Sequence, residues 1–257
     1  MSDPLVVAVM LTKDRPQMAA RAFRSWWLQT SLDRRYGRRT NRTPSSLLIW
    51  DTGMTPLVFS MPEDQRYSRW HSVRREYPAH VRIGTLRNHA VEYAVEVLHA
   101  DILCHFDDDD VSHPLRIAEQ VALLQSSGAD AVGYREGLFW DIRGQEGHVG
   151  HANGAWLYSA SAVSGNVIGA SLCYRVATWC KYPFLPGTSQ GEEQPMVNGC
   201  DGEWMSSMST RRGSEPRMVC GIHGGNTSHY GAEHLRTARE WTWAPIWDKW
   251  CAETMKL

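Results

Sequence analysis

The chain has 257 residues, 42% of them hydrophobic, enough to bury a core as one large domain. Its formal net charge of -1 excludes a global electrostatic pull toward nucleic acid or an anionic membrane, so any such preference has to be local. The opening MSDPLVVAVMLTKDRP has no basic leader, and its apolar run is far shorter than the roughly 20 residues of a membrane span, so a cytoplasmic protein with no membrane span is expected.

Residues 5–11, LVVAVML, form a continuous β-branched run of the kind a strand buried on both faces needs. From Pro16 the period becomes helical, with Met18, Ala22, Phe23, Trp26 and Trp27 on one side and proline where a first turn tolerates it. An arginine-rich stretch carrying Arg34, Arg35, Arg38, Arg39 and Arg42 leads to a second strand, LLIW, ending at Asp51 with Thr52 and Gly53 as turn residues. Such a run suits a solvated loop or the phosphates of a polyanionic acceptor. Leu86, Ala90, Tyr93, Ala94, Val97 and Leu98 predict a helix, ADILCHF a third strand, and the segment from Pro114 a third helix. Strand and helix thus alternate three times, which predicts an α/β fold: a mostly parallel sheet flanked by helices, in a single domain.

The second half is less regular. VIGASLCYRVATWC reads as a strand entering a helix, DGEWMSSMS as a short helix, and TSQGEEQPMVNG as a loop. Trp241, Trp243, Trp247 and Trp250 suit either docking of a terminal segment on the core or a stacking wall for a sugar or base. The six cysteines contain no C-x-x-C pair and are expected to be reduced thiols. Asn41 and Asn226 begin sequons that carry no weight without a signal peptide.

ILCHFDDDDVSHP concentrates the chemistry: Asp107 to Asp110 follow the third strand directly, where α/β sheets bind ligands. Strand alternation would send Asp107 and Asp109 one way and Asp108 and Asp110 the other. Two carboxylates converging on one side repel unless one is protonated or a cation joins them. A hard divalent ion, Mn²⁺ or Mg²⁺, carrying a phosphorylated substrate fits that requirement. Capping of the next helix by Asp110 or Ser112 accounts for one acid, not four.

In this order, VVAVMLTKDRP, LLIWDTG, IGTLRNHAVEYA and ILCHFDDDDVSHP resemble the nucleotide-sugar-binding half of glycosyltransferase family 2, whose GT-A fold is Rossmann-related. The resemblance implies a donor-binding half over residues 1–125 and an acceptor-binding, catalytic half over 126–257 that includes the tryptophan-rich segment. It implies that Thr12, Asp14, Arg15 and Asp51 line the nucleoside pocket and that Arg87 sits near the diphosphate. Asp107 and Asp108 would meet the ribose or donor sugar, and Asp109 would bind the metal with His223, from VCGIHGGNTSHY, as a later ligand; His229 is a weaker candidate. From the residues alone, Asp14 and Asp51 also suit turn hydrogen bonds, and Arg87 an ion pair on its own helix.

In that family the catalytic base belongs to a Glu-Asp pair opening a short helix after a loop. The counterpart is sought in GCDGEWMSSMS, which makes Asp201 the candidate, with Glu203 as alternative and the GEE of residues 191–193 as a further contender; Cys200 stands where the first acid of the pair is expected. The resemblance implies a metal-dependent, inverting, non-processive transfer of a sugar from a nucleoside diphosphate, with a UDP-sugar as the first expectation. The acceptor stays open among a glycan, a protein, a small molecule and a modified DNA base. The rivals are a nucleotidyltransferase, although TKDRPQ lacks the expected glycine-rich loop, and a non-catalytic sugar-nucleotide-binding module.

Overall fold

The computed structural model describes residues 3–29, 31–33, 38–40, 45–59, 70–141, 155–159, 167–206, 217–223 and 239–240. Arg34, Arg35, Arg42, His229, the sequon residues Asn41 and Asn226, and the four tryptophans from Trp241 to Trp250 lie outside the described residues.

The first strand, β1 (Val6–Thr12), is buried along nearly its whole length and leads into α1 (Pro16–Trp27), which proline opens where no backbone N–H is needed. A small antiparallel ribbon follows, β2 (Ser31–Asp33) with β3 (Arg38–Thr40), the latter containing Arg38 and Arg39. Next come β4 (Ser46–Asp51), β5 (Trp70–Arg74), α2 (Ile83–Glu96) and β6 (Ile102–His105). The acid run separates β6 from the two-residue β7 (Val111–Ser112), and α3 (Arg116–Ser127) ends at Gly128, whose φ of 75° favours glycine. The second half contributes β8 (Ala131–Asp141), β9 (Ala155–Ser159), a 3₁₀ turn over Gly169–Ser171, β10 (Cys173–Arg175), α4 (Val176–Lys181), α5 (Gln194–Gly199), β11 (Gly202–Ser206), β12 (Met218–Ile222) and β13 (Arg239–Glu240).

The main path of the sheet runs β13-β9-β8-β10-β6-β1-β4-β5. From β6 to β5 every pairing is parallel, while β10 is antiparallel to both its neighbours, so β8 runs in the same sense as β6. Period-two alternation divides the core. Val6, Ala8 and Met10 face Ala19, Ala22, Phe23 and Trp26 of α1 and Ile117 and Leu124 of α3. Val7 and Val9 face Ala90, Val91 and Ala94 of α2, with Tyr174, Phe184 and Met196. Each such large apolar side chain contributes about 1.5–3 kcal/mol on full burial. One consequence matters for the site: Thr12, Asp51 and Arg74 lie in register at the carboxyl end of the sheet.

The expectation of an α/β fold with a mostly parallel sheet flanked by helices holds for the main sheet, and two local expectations do not. DGEWMSSMS, expected as a helix, forms β11, because its backbone pairs with the free edge of β8 from Gly202↔Ala131 onward. TSQGEEQPMVNG, expected as a loop, holds α5, which at six residues is too short to show a helical period. Among the described residues, no helix is long and apolar enough to cross a membrane.

Candidate functional site

The four aspartates leave β6 as a tight turn, closed by Asp110 N donating to Asp107 O at 3.3 Å, so the alternation of a strand does not continue through them. Oxygens of Asp107, Asp109 and Asp110 instead gather within 4.8 Å of one another. Asp108 turns to Arg15, whose Nη1 lies 3.0 Å from Asp108 Oδ1 and 3.5 Å from Asp109 Oδ2. Burial first, and the charge of Asp109 second, push Asp108 up to about 7 and Asp110 well above the usual carboxylate range. The gathered carboxylates therefore suit a cation.

Oxygen-only donors from two or three carboxylates match the preference of Mg²⁺ or Mn²⁺. Asp110 adds a specific fit: it is 4% exposed, its Oδ1 accepts from Gly221 N at 3.3 Å, and its Oδ2 is buried with no hydrogen-bond partner among the described residues. β12 pairs with β7 and places His223, the later ligand that the resemblance implied, with Nε2 3.0 Å from Asp109 Oδ2; it lies beside the three gathered carboxylates and not among them.

On the other flank, α2 presents Arg87 to two acids at once. Its Nη1 and Nη2 each donate to an Asp107 oxygen at 3.0 Å, and its Nε donates to Glu192 Oε1 at 3.0 Å. The alternative of an ion pair within its own helix is not what forms: both partners are distant in sequence. Burial works against the Arg87 charge, but the charges of Asp107 and Glu192 outweigh it and raise its pKa; burial would raise Asp107, and Arg87 outweighs that and holds it low. The neighbouring Asn88 ties down the 184–192 loop, donating to Phe184 O at 2.8 Å and accepting from Phe184 N at 3.0 Å. The Arg-Asn pair of α2 thus fixes where Glu192 and Glu193 sit.

Glu193 precedes α5 and carries a carboxyl pushed up to about 6, by burial first and by Glu192 second. Its carboxyl abuts Gly169, where an added Cβ would stand 3.0 Å from Glu193 Cδ. His105 joins the same corner with Nδ1 2.8 Å from Gly169 O; burial, then the Arg87 charge, lowers its pKa to about 3, so it is neutral and Nδ1–H donates.

At the rim, Asp51 Oδ1 accepts from Gly53 N at 2.8 Å, and Asp14 Oδ1 accepts from Met54 N at 2.7 Å and Thr55 N at 2.9 Å. Those turn bonds, that of Thr55 above all, lower the Asp14 pKa. Arg74, at the end of β5, donates from Nε to Gly53 O at 3.2 Å and from Nη2 to the carbonyls of Gly53 and Met54. Gly53 is required because a Cβ there would meet Asp14 N at 2.5 Å. Thr12, 4% exposed, floors this rim. The sequence reading missed Arg74 because WHSVR of β5 is a half-exposed strand with no continuous apolar run.

Asp201 and Glu203 are not part of this arrangement. Asp201 O accepts from Asp130 N at 2.8 Å, just before β8 begins, and Glu203 pairs with Val132, which through Cys173 is level with Cys104 of β6; both are exposed. The acidic pair that opens a short helix beside the aspartates is Glu192 and Glu193. A proline in the first turn of that helix, two residues after the pair, is the signal that marks it.

No family profile matches the sequence, and no curated protein does either. Solved structures do share its architecture. The 1-349 fragment of S. aureus TarS in complex with UDP-GlcNAc is 12% identical, with a TM-score of 0.55 over 91% of this chain and 61% of that one. The same fragment in complex with UDP gives a TM-score of 0.54 over 85% and 60%, and a longer S. aureus TarS chain gives 0.52 over 85% and 37%, both at 12% identity. The chain therefore has a GT-A-like fold and spans about three-fifths of the length of the TarS fragment.

Proposed function

We propose that the protein is a metal-dependent glycosyltransferase that moves a sugar from a nucleoside diphosphate to an acceptor hydroxyl, with inversion and one sugar at a time. The observation that carries this reading is the convergence of Asp107, Asp109 and Asp110 at the carboxyl end of β6, flanked by Arg15, Arg87 and a carboxyl of raised pKa at Glu193. A UDP-sugar is the first donor to test, a choice supported by the UDP-GlcNAc and UDP complexes of a protein of the same fold.

In this reading Thr12, Asp51 and the loop fixed by Asp14 and Arg74 hold the nucleoside. Arg15 and Arg87 face the diphosphate, and Asp107 and Asp108 the ribose and donor sugar. Asp109 and Asp110, with His223, would hold Mn²⁺ or Mg²⁺, which when bound supplies charge neutralisation for the leaving diphosphate. Glu193 replaces Asp201 and Glu203 as the base. A carboxyl with a pKa of about 6 is largely ionised at neutral pH and basic enough to take the acceptor proton as the sugar passes through an oxocarbenium-like state. Arg87, through Glu192 and Asp107, holds the base-bearing loop and the acid turn in one frame. Residues 1–125 act as the donor half and 126–257 as the acceptor half in a cytoplasmic protein.

Calorimetry with UDP, GDP, CDP and dTDP, in Mn²⁺ and in chelator, tests the reading on the wild type and on Asp109→Asn. One nucleotide binding tightly, with loss of that binding on chelation and in the variant, is expected. Failure of every nucleotide under both conditions would refute the proposal.

A further inference from the structure

We propose that Arg116, which no step above uses, is the positioning residue of the acid turn: its guanidinium fixes the two shoulders from which Asp107, Asp109 and Asp110 converge. The inference rests on the metal reading proposed above. Arg116 is 0% exposed and occupies the first position of α3, where the positive helix end disfavours a cation. Burial of a cation is unfavourable by several kcal/mol unless hydrogen bonds offset it. Those bonds show what the side chain is for.

Nη2 donates to His105 O at 2.8 Å, on the entry side of the turn, and Nη1 to Ser112 Oγ at 2.7 Å, on the exit side. Nη2 also donates to Ala170 O at 2.9 Å and Nε to Gln120 Oε1 at 3.2 Å, while the guanidinium lies 5.5 Å from the centre of the Phe106 ring. All four acceptors are uncharged, so Arg116 grips the backbone and hydroxyl around the acids and leaves their carboxylates to other partners. Gln120 extends the grip, its Nε2 donating to Ser171 O at 2.7 Å. The 3₁₀ turn held in this way is the one whose Gly169 abuts Glu193. A single planar fork therefore links the entry of the acid turn, its exit and the turn beneath the proposed base. Lysine keeps the charge but has no planar fork to span three acceptors.

The test uses the full chain and Mn²⁺ alone as probe, with affinity read by electron paramagnetic resonance and the thermal midpoint recorded for each protein. Arg116→Lys is expected to weaken Mn²⁺ binding by roughly 10–100-fold, the range for partners that orient metal ligands. Ser112→Ala, which releases the exit shoulder alone, is expected to shift affinity in the same direction by less. Arg175→Lys is the control: Arg175 clamps the carbonyls of Ala129 and Leu124 at the far end of the sheet, so its loss lowers the midpoint and leaves Mn²⁺ affinity unchanged. A folded Arg116→Lys protein with wild-type affinity overturns the inference, as does an equal loss in Arg175→Lys. If Arg116→Lys does not fold, wild-type affinity in Ser112→Ala overturns it. Absence of Mn²⁺ binding by the wild type overturns the metal reading itself, and this inference with it.

Discussion

Replacing Glu193 with glutamine isolates the proposed base. The side chain keeps its shape against Gly169 but can no longer take a proton, and removing a positioned general base costs typically 10²–10⁴-fold in rate. The sign of the pH dependence follows from the raised pKa. A carboxylate accepts a proton only when ionised, so with a pKa of about 6 this group makes kcat/KM fall as pH drops through 6. At pH 7, one unit above that value, roughly nine-tenths of the molecules carry the ionised form. The assay is initial-rate release of nucleoside diphosphate from the donor identified by binding, followed from pH 5 to 8, with donor affinity measured in parallel. Glu193→Gln is expected to lose both the rate and the acid limb while holding donor affinity. Full activity with an unchanged acid limb, together with loss of activity in Asp201→Asn, would refute the reasoning and return the base to Asp201.

Arg87→Met leaves Asp107 and Glu192 facing each other without their shared cation. Denaturant unfolding is expected to show a loss of about 3–5 kcal/mol, the range for breaking a buried ion pair from one side, with partial recovery when Glu192→Gln is added. Gly53→Ala drives a Cβ into Asp14 N; nucleotide affinity measured by calorimetry is expected to fall by at least about tenfold, equivalent to ~1.4 kcal/mol, without loss of the fold. Gly128→Ala, at φ 75° with no atom within 4 Å of the new methyl, carries only the left-handed backbone penalty. Its expected cost is about 1–2 kcal/mol of stability with nucleotide binding intact, and a change in binding would count against the separation of that turn from the site.

Local pattern alone determined much of this protein. The buried run of β1, the proline that opens α1, the Asp51-Thr52-Gly53 turn and the four aspartates closing a strand each declare themselves within a dozen residues, because strand and helix periods and turn chemistry act over that range. Chain order singled out His223, and the structure places its Nε2 3.0 Å from Asp109 Oδ2. Only tertiary structure decided which acids meet. The turn at Asp107 cancels strand alternation and adds Asp110 to the cluster, and Arg87 selects Glu192 over a partner on its own helix across 105 positions of sequence. DGEWMSSMS became a strand because the edge of β8 offered it backbone partners, which leaves Asp201 and Glu203 exposed and outside the carboxylates that gather after β6. Arg74 left no mark in the pattern, since its acceptors are carbonyls of the Gly53 turn brought to it by strand pairing, and Arg116, although Ser112 and Gln120 lie one helical turn away, reaches the carbonyls of His105 and Ala170 only in the folded chain. Hydrogen-bond partners of this kind are set by the three-dimensional path of the backbone, and no residue spacing encodes that path.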